Sequence, residues 1–187
     1  DALTTGAQNT VLGTFALTAD DLGSYNTALG YNALATLNYA TATDSYNTAV
    51  GGRAGQSVTT GIHNTIIGAL AGDALTDADS NVAVGYGALT ADTLGGTSVA
   101  IGRDALYTQN FTTATNAYNV AMGYNAGAAI STGVQNTIVG ALAGDALAAS
   151  NLNTAVGYQA LTAATTADLN TAIGAQTLYT NILSDRN

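Results

Sequence analysis

Residues 153–161 read NTAVGYQAL, and the first five letters of this stretch define a motif that recurs ten times along the chain. The motif consists of Asn, Thr or Val, a small or branched apolar residue, a larger apolar residue and Gly. Successive motif glycines stand 17 or 21 residues apart. Self-similarity at such a short period is typical of solenoid proteins, in which each repeat forms one coil of a stack. The sequence therefore predicts about ten stacked coils.

The first and last residues of the motif form a predicted structural ladder. Gly closes all ten copies, which predicts a turn with positive φ or a close approach of two backbones. Asn opens nine copies, with Ser98 as the exception, and its amide can both donate and accept hydrogen bonds between coils. The predicted ladder comprises Asn9, Asn26, Asn47, Asn64, Asn81, Asn119, Asn136, Asn153 and Asn170, with Gly13, Gly30, Gly51, Gly68, Gly85, Gly102, Gly123, Gly140, Gly157 and Gly174.

A longer period is superimposed on the coils. The two 21-residue intervals stand 72 residues apart, and LATLNYATATDSYN from Leu34 matches LYTQNFTTATNAYN from Leu106. This spacing indicates a super-repeat of four coils. The register extends to both ends of the sequence, so we expect residues 1–187 to form a single repetitive segment of a longer chain, with no internal domain boundary.

The length of one repeat indicates the fold class. Two short strands and a turn fit 17 residues, whereas a repeat built from a pair of helices needs about twice that length. The β-branched content and the absence of Pro suit continuous β-ladders. The predicted fold is all-β, a parallel and β-roll-like β-solenoid of about ten coils.

The motif strand is apolar on both sides. Side chains alternate across a strand, and the residue before the motif glycine and the one preceding it are apolar in all ten copies. A 17-residue coil is too thin to cover both sides, so we expect another copy of the chain to cover one of them. We interpret the mostly alanine column as that subunit contact. The sequence leaves open which side faces inward.

Composition excludes several classes of function. The net charge is −9 and the only cations are three arginines, so nucleic acid and anionic membrane surfaces are poor partners. No apolar run is long enough to insert into a membrane. The chain has no Cys or Lys and a single His, which is little material for catalysis, so we expect neither an enzyme nor a cofactor. His63 aligns with Gln135 in the super-repeat, which predicts a solvent-facing position.

Two families share this motif. The form NTAVGYQAL at a spacing near 17 resembles the repeats of phage-type tail-fibre proteins, and SVAIG at residues 98–102 resembles the head repeats of trimeric autotransporter adhesins, which are usually shorter. The resemblance implies a homotrimeric, extracellular shaft or head that attaches to a cell surface. It also implies a location on a virion tail fibre or a bacterial cell surface.

The 21-residue coils provide candidate receptor contacts. Their four extra residues must bulge from a regular stack, and they bring Asn38, Tyr39, Asn110 and Phe111. Aromatic faces beside amides suit recognition of a cell-surface glycan or another receptor. The plainer interpretation is that these rings cover a subunit seam. A tyrosine column after the motif glycines suits lateral packing or, second, surface adhesion, and comprises Tyr31, Tyr86, Tyr124 and Tyr158.

Two further hypotheses concern Ca²⁺ binding and ice binding. Asp73 and Asp145 lie in repeated GALAGDAL segments that partly resemble Ca²⁺-binding β-roll repeats, but these segments lack the alternating glycines of such repeats, so we interpret both residues as turn residues and expect no metal site. A flat threonine ladder is typical of ice-binding solenoids. Here the threonine column of the motif is interrupted by Val82, Val99 and Val120.

Overall fold

The computed structural model describes residues 6–163 and 165–180, and all regular secondary structure in those residues is β-strand. In chain order the strands are β1 (Thr10–Leu12), β2 (Gly23–Ser24), β3 (Thr27–Leu29), β4 (Thr43–Asp44), β5 (Thr48–Val50), β6 (Thr65–Ile67), β7 (Val82–Val84), β8 (Gly95–Gly96), β9 (Val99–Ile101), β10 (Thr115–Asn116), β11 (Val120–Met122), β12 (Thr137–Val139), β13 (Thr154–Val156) and β14 (Thr171–Ile173).

The three-residue strands coincide with the second to fourth residues of the motif. They form one ten-stranded sheet in the order β1-β3-β5-β6-β7-β9-β11-β12-β13-β14, and every pair is parallel and in register. The short pairs β2 with β4 and β8 with β10 lie beside the two 21-residue coils. The predicted parallel β-solenoid of about ten coils is confirmed.

Backbone hydrogen bonds also join neighbouring coils outside the sheet. The amide of Leu34 donates to the carbonyl of Ala54 at 3.1 Å, and that of Leu89 donates to Ala105 at 3.0 Å. Each coil therefore satisfies the polar groups of the next one around much of its circumference, as buried backbone requires.

The corners use left-handed backbone at residues that ordinarily avoid it. Leu34 has φ of 49° and Leu106 has φ of 50°, and both side chains are fully buried. A left-handed conformation costs such a residue about 1–2 kcal/mol, whereas burying a leucine contributes about 1.5–3 kcal/mol. Packing inside the coil therefore outweighs the local preference of the chain.

Side-chain sizes inside the coils are matched. Most coils pair a strand alanine with a corner leucine, but Ile66 in β6 lies between Gly55 and Gly72 at the two adjacent corners. A Cβ added at Gly55 would lie 2.8 Å from Cδ1 of Ile66. The same exchange recurs 72 residues later, where a Cβ added at Gly144 would lie 3.0 Å from Cδ1 of Ile138. The interior has space for one large side chain at this level.

The alanine column faces the interior, which corrects the sequence-based interpretation of that column as a subunit contact. Its members from β3 onward are all buried, and the fill around them comes from corner and turn leucines. Alanine is therefore present because the coil is narrow. The buried members are Ala28, Ala49, Ile66, Ala83, Ala100, Ala121, Ile138, Ala155 and Ala172.

Candidate functional site

The outward side of the ten-stranded sheet is the most extended apolar surface that the strands present. We call it the strand face, defined as the first and third residues of the ten three-residue strands. Its first column is Thr or Val, and its second column is Leu, Val, Ile or Met. In the middle of the stack Ile67 is 38% exposed and Met122 is 43% exposed. Exposed apolar side chains aligned in one column make this face a candidate interaction surface.

The strand face is uncharged along its whole length, because none of the residues in these ten strands is acidic or basic. At the usual spacing of about 4.8 Å between strands, ten strands extend over about 43 Å. The charged side chains that the structure describes therefore all lie outside this face. A second copy of the chain can approach this face without bringing like charges together.

The strand face also bears on the ice-binding hypothesis. Its first column presents threonines outward, interrupted by Val82, Val99 and Val120. Its second column consists of aliphatic side chains and Met122, which have no hydroxyl groups. A paired threonine array is therefore not formed on this face.

The asparagine ladder is present as predicted. Oδ1 of Asn64 accepts the backbone amide of Asn81 at 2.9 Å, and Nδ2 of Asn64 donates to the carbonyl of Ala78 at 2.7 Å. The same pair of bonds recurs at Asn136, which accepts from Asn153 at 3.0 Å and donates to Ser150 at 2.8 Å. Each buried amide thus ties its own coil to the next one.

The 21-residue coils turn their aromatic rings inward. Tyr39 and Phe111 are each 6% exposed, so neither offers a face to a sugar, and the expectation that they form an exposed recognition surface is corrected. The hydroxyl of Tyr39 donates to the carbonyl of Gly61 at 2.8 Å, and burial raises its pKa to about 12. Only the neighbouring amides, Asn38 and Asn110, are exposed.

A buried polar network stabilises the second 21-residue coil, and sequence patterns did not reveal it. Nε2 of Gln109 donates to Asp92 Oδ2 at 2.6 Å and to Ser98 Oγ at 3.0 Å, while Oε1 of Gln109 accepts from Asn119 at 2.8 Å. All four residues are fully buried. The network explains the exception at Ser98, because Gln109 connects it to the next ladder asparagine.

A sequence signal for this network does exist. Seven residues after the motif glycine, most coils have an apolar residue such as Leu37 or Leu75, whereas Asp20, Asp92, Gln109 and Asn181 interrupt that column. In the first super-repeat Leu37 occupies the place of Gln109, and the hydroxyl of Tyr39 accepts from Asn47 instead. The first 21-residue coil therefore has its polar group at Tyr39, where the second has Phe111, and the second has its polar group at Gln109, where the first has Leu37.

This exchange leaves Asp20, the counterpart of Asp92, with incomplete bonding. Oδ1 of Asp20 accepts from the amide of Gly23 at 2.8 Å, but Oδ2 has no partner, and neither has Nδ2 of Asn26. Burial raises the pKa of the Asp20 carboxyl. Compared with the unfolded chain, the fold therefore favours the protonated carboxyl of Asp20. The stability that this group contributes is fully present below its ordinary pKa and is lost as pH rises through its raised pKa in the folded chain.

We expect Asp20→Asn to raise the melting temperature at pH 7, because it removes a buried charge that lacks a partner at one oxygen. The gain is about 1 kcal/mol at neutral pH and shrinks toward pH 3, where the aspartate is neutral in both states. Circular dichroism melts at the two pH values measure it. Asp92→Asn is the matched control and should destabilise at pH 7, since Gln109 Nε2 would lose the nearer of its two acceptors, Asp92 Oδ2. Equal effects of the two substitutions would contradict the assignment.

The remaining candidates lie at the surface or in turns. His63 is exposed and stacks on Tyr46 with ring centroids 5.8 Å apart. Asp73 accepts a hydrogen bond from the hydroxyl of Thr90, and its Oδ2 lies 3.8 Å from a guanidinium nitrogen of Arg53. Burial raises the pKa of the Asp145 carboxyl. Within residues 6–163 and 165–180, no three His, Cys, Asp or Glu side chains are grouped to hold a metal ion.

Comparisons with known proteins give no relative from which to assign a function. In the part of the chain that the structure describes, no helix has the length and apolar character needed to cross a membrane. No protein-family model, no curated protein and no solved structure matches this chain.

Proposed function

We propose that the chain is a structural, receptor-binding fibre segment, in which identical chains pack against one another through the strand face. The observation that supports this proposal most directly is the uncharged apolar ladder along the outward side of ten strands. The resemblance to tail-fibre and adhesin repeats favours three chains and an extracellular place, on a virion tail fibre or as the head of a bacterial trimeric adhesin. The mechanism is rigid, multivalent display, which converts weak contacts into avidity.

The distribution of side chains supports this role. The interior of each coil is filled by its own residues, so stacking alone explains the fold of one chain and leaves the strand face as surplus apolar surface. Covering that face with a second copy buries an apolar column in every coil. At about 25 cal/mol per Å² of apolar area, a contact repeated over ten coils accumulates the energy of a stable assembly.

We expect the double substitution Val84→Asp and Ile101→Asp to prevent assembly without unfolding the coil. Both side chains belong to adjacent strands of the strand face and point away from the interior. Burying two carboxylates against another chain is strongly unfavourable. Light scattering should report a monomer of 18.5 kDa, while circular dichroism retains the β spectrum.

The matched control is Thr112→Asp with Thr113→Asp, which adds the same charge on the exposed segment of a 21-residue coil. This variant should assemble like the unmodified chain.

Retention of labelled protein on a panel of bacterial and animal cells then tests attachment. Because the strand-face variant loses avidity, we expect the amount of it that the cells retain to fall at least tenfold, on the order expected from lost multivalency. Assembled protein that no cell retains would contradict the attachment role.

A further inference from the structure

One corner of the stack contains an open pocket where the chain leaves β7 and β9. Its volume is about 420 Å³, within the usual range for small-molecule sites. The side chains that define its chemistry are those of Tyr86, Arg103, Asp104, Tyr107 and Asn125, around a floor at Gly87.

The super-repeat is broken at this pocket. Seventy-two residues earlier, Phe15 stands in the position of Gly87 and Tyr31 in the position of Arg103. Those two rings pack against each other there, with centroids 6.2 Å apart. The second super-repeat replaces this aromatic contact with a glycine and a polar side chain, and thereby opens the corner.

Gly87 keeps the floor of the pocket free. Its φ is 63°, and a Cβ added there would lie 2.6 Å from Asp104 Oδ1 and 3.8 Å from the ring of Tyr107. Any side chain at this position would displace the carboxylate or cover the ring. The counterpart 72 residues later is Gln159, so glycine is not a requirement of the corner itself.

The pocket combines an aromatic surface with fixed polar groups. The Tyr107 side chain is 46% exposed. Asn125 also lines the pocket, and its Oδ1 is closed to solvent and has no hydrogen-bond partner in the protein. Nε of Arg103 donates to Asp104 Oδ2 at 3.0 Å, and its guanidinium lies 5.8 Å from the ring centroids of both Tyr86 and Tyr124.

We propose that this pocket binds a neutral saccharide, which rests on the proposed attachment function and assigns its receptor class. A pyranose stacks its apolar face on Tyr107, while its hydroxyls bond to the solvent-accessible Arg103–Asp104 pair. The guanidinium of Arg103 and the carboxylate of Asp104 hold each other in place, so together they can bond to two neighbouring hydroxyl groups of one sugar ring. The guanidinium is already paired with Asp104, so the pocket has no uncompensated positive charge to attract an anionic sugar.

The test uses the unmodified chain with three neutral probes, methyl β-galactoside, maltotriose and tri-N-acetylchitotriose, and with sialyllactose as the anionic comparison. Saturation-transfer NMR detects binding, and titration gives Kd for the probe that responds. We expect a neutral probe to bind and sialyllactose to show no stronger response. Tyr107→Ala should weaken binding about tenfold, the scale of one stacking contact, and Gly87→Gln should abolish it.

The matched control is Tyr179→Ala, which removes the tyrosine at the corresponding corner 72 residues later, where Ala175 replaces Arg103. This variant should bind like the unmodified chain. Binding of none of the neutral probes, binding of sialyllactose alone, or equal losses in the two tyrosine variants would each overturn the pocket proposal.

The molecular mass of the same samples separates the pocket proposal from the fibre proposal. A trimer without saccharide binding removes only the pocket, whereas a monomer that binds the saccharide removes only the fibre assembly.

Discussion

Replacing Gly85 with alanine will destabilise the solenoid by about 3 kcal/mol or more. Gly85 has φ of 132°, and a Cβ added there would lie 2.6 Å from the carbonyl oxygen of Gly102 in the next coil. A backbone oxygen cannot move aside without shifting its own coil. The melting temperature measured by circular dichroism should fall by several degrees, and hydrogen exchange should accelerate in both coils.

Gly52→Ala is the matched control for this glycine. It lies one residue after the motif glycine Gly51, and a Cβ added at Gly52 would have no atom within 4 Å. The same added methyl group should therefore change the free energy of unfolding by no more than about 0.5 kcal/mol. The melting temperature should stay close to that of the unmodified chain. Equal destabilisation by the two alanines would show that the close approach of coils at the motif glycines is not what limits this position.

Asn136→Leu is expected to cost about 4 kcal/mol. The substitution removes the acceptor of the Asn153 amide and the donor to the Ser150 carbonyl, and both groups stay buried. Each buried group left without a partner costs about 1–3 kcal/mol. Chemical denaturation should show a lower midpoint for the chain, with protection lost in the coils on both sides of Asn136.

Asn38→Leu serves as the comparison, because it makes the same substitution at an exposed amide. We expect its midpoint to lie close to that of the unmodified chain. A mild effect of Asn136→Leu, similar to that of Asn38→Leu, would mean that the buried amides do not join the coils energetically.

Spacing and motif predicted the coils and their ladders because both arise from strict repetition. The motif glycine was predicted to have positive φ or to lie where two backbones approach closely, and Gly85 shows both features. Left-handed leucines such as Leu34 were not predictable, since intrinsic preference opposes that backbone and only interior packing compensates for it.

The sequence left the inward side of the strand open because apolar character is the same on both sides, and the interpretation of the alanine column as the subunit contact was wrong. Side-chain volume held the missing information. Ile66 interrupts the alanine column where the adjacent corners are Gly55 and Gly72, and this exchange of size between positions is expected only if all three share one interior. The predicted exposure of Tyr39 and Phe111 was also wrong, because both rings are buried in the coil. The hydroxyl of Tyr39 finds its acceptor there, at the carbonyl of Gly61.

The molecular mass of the unmodified chain in solution tests the central claim most directly. Sedimentation equilibrium over a range of concentrations should give a single assembly of three times 18.5 kDa, with the strand face protected from hydrogen exchange. A well-folded species that remains at 18.5 kDa at high concentration, with Ile67 and Met122 open to solvent, would contradict the account.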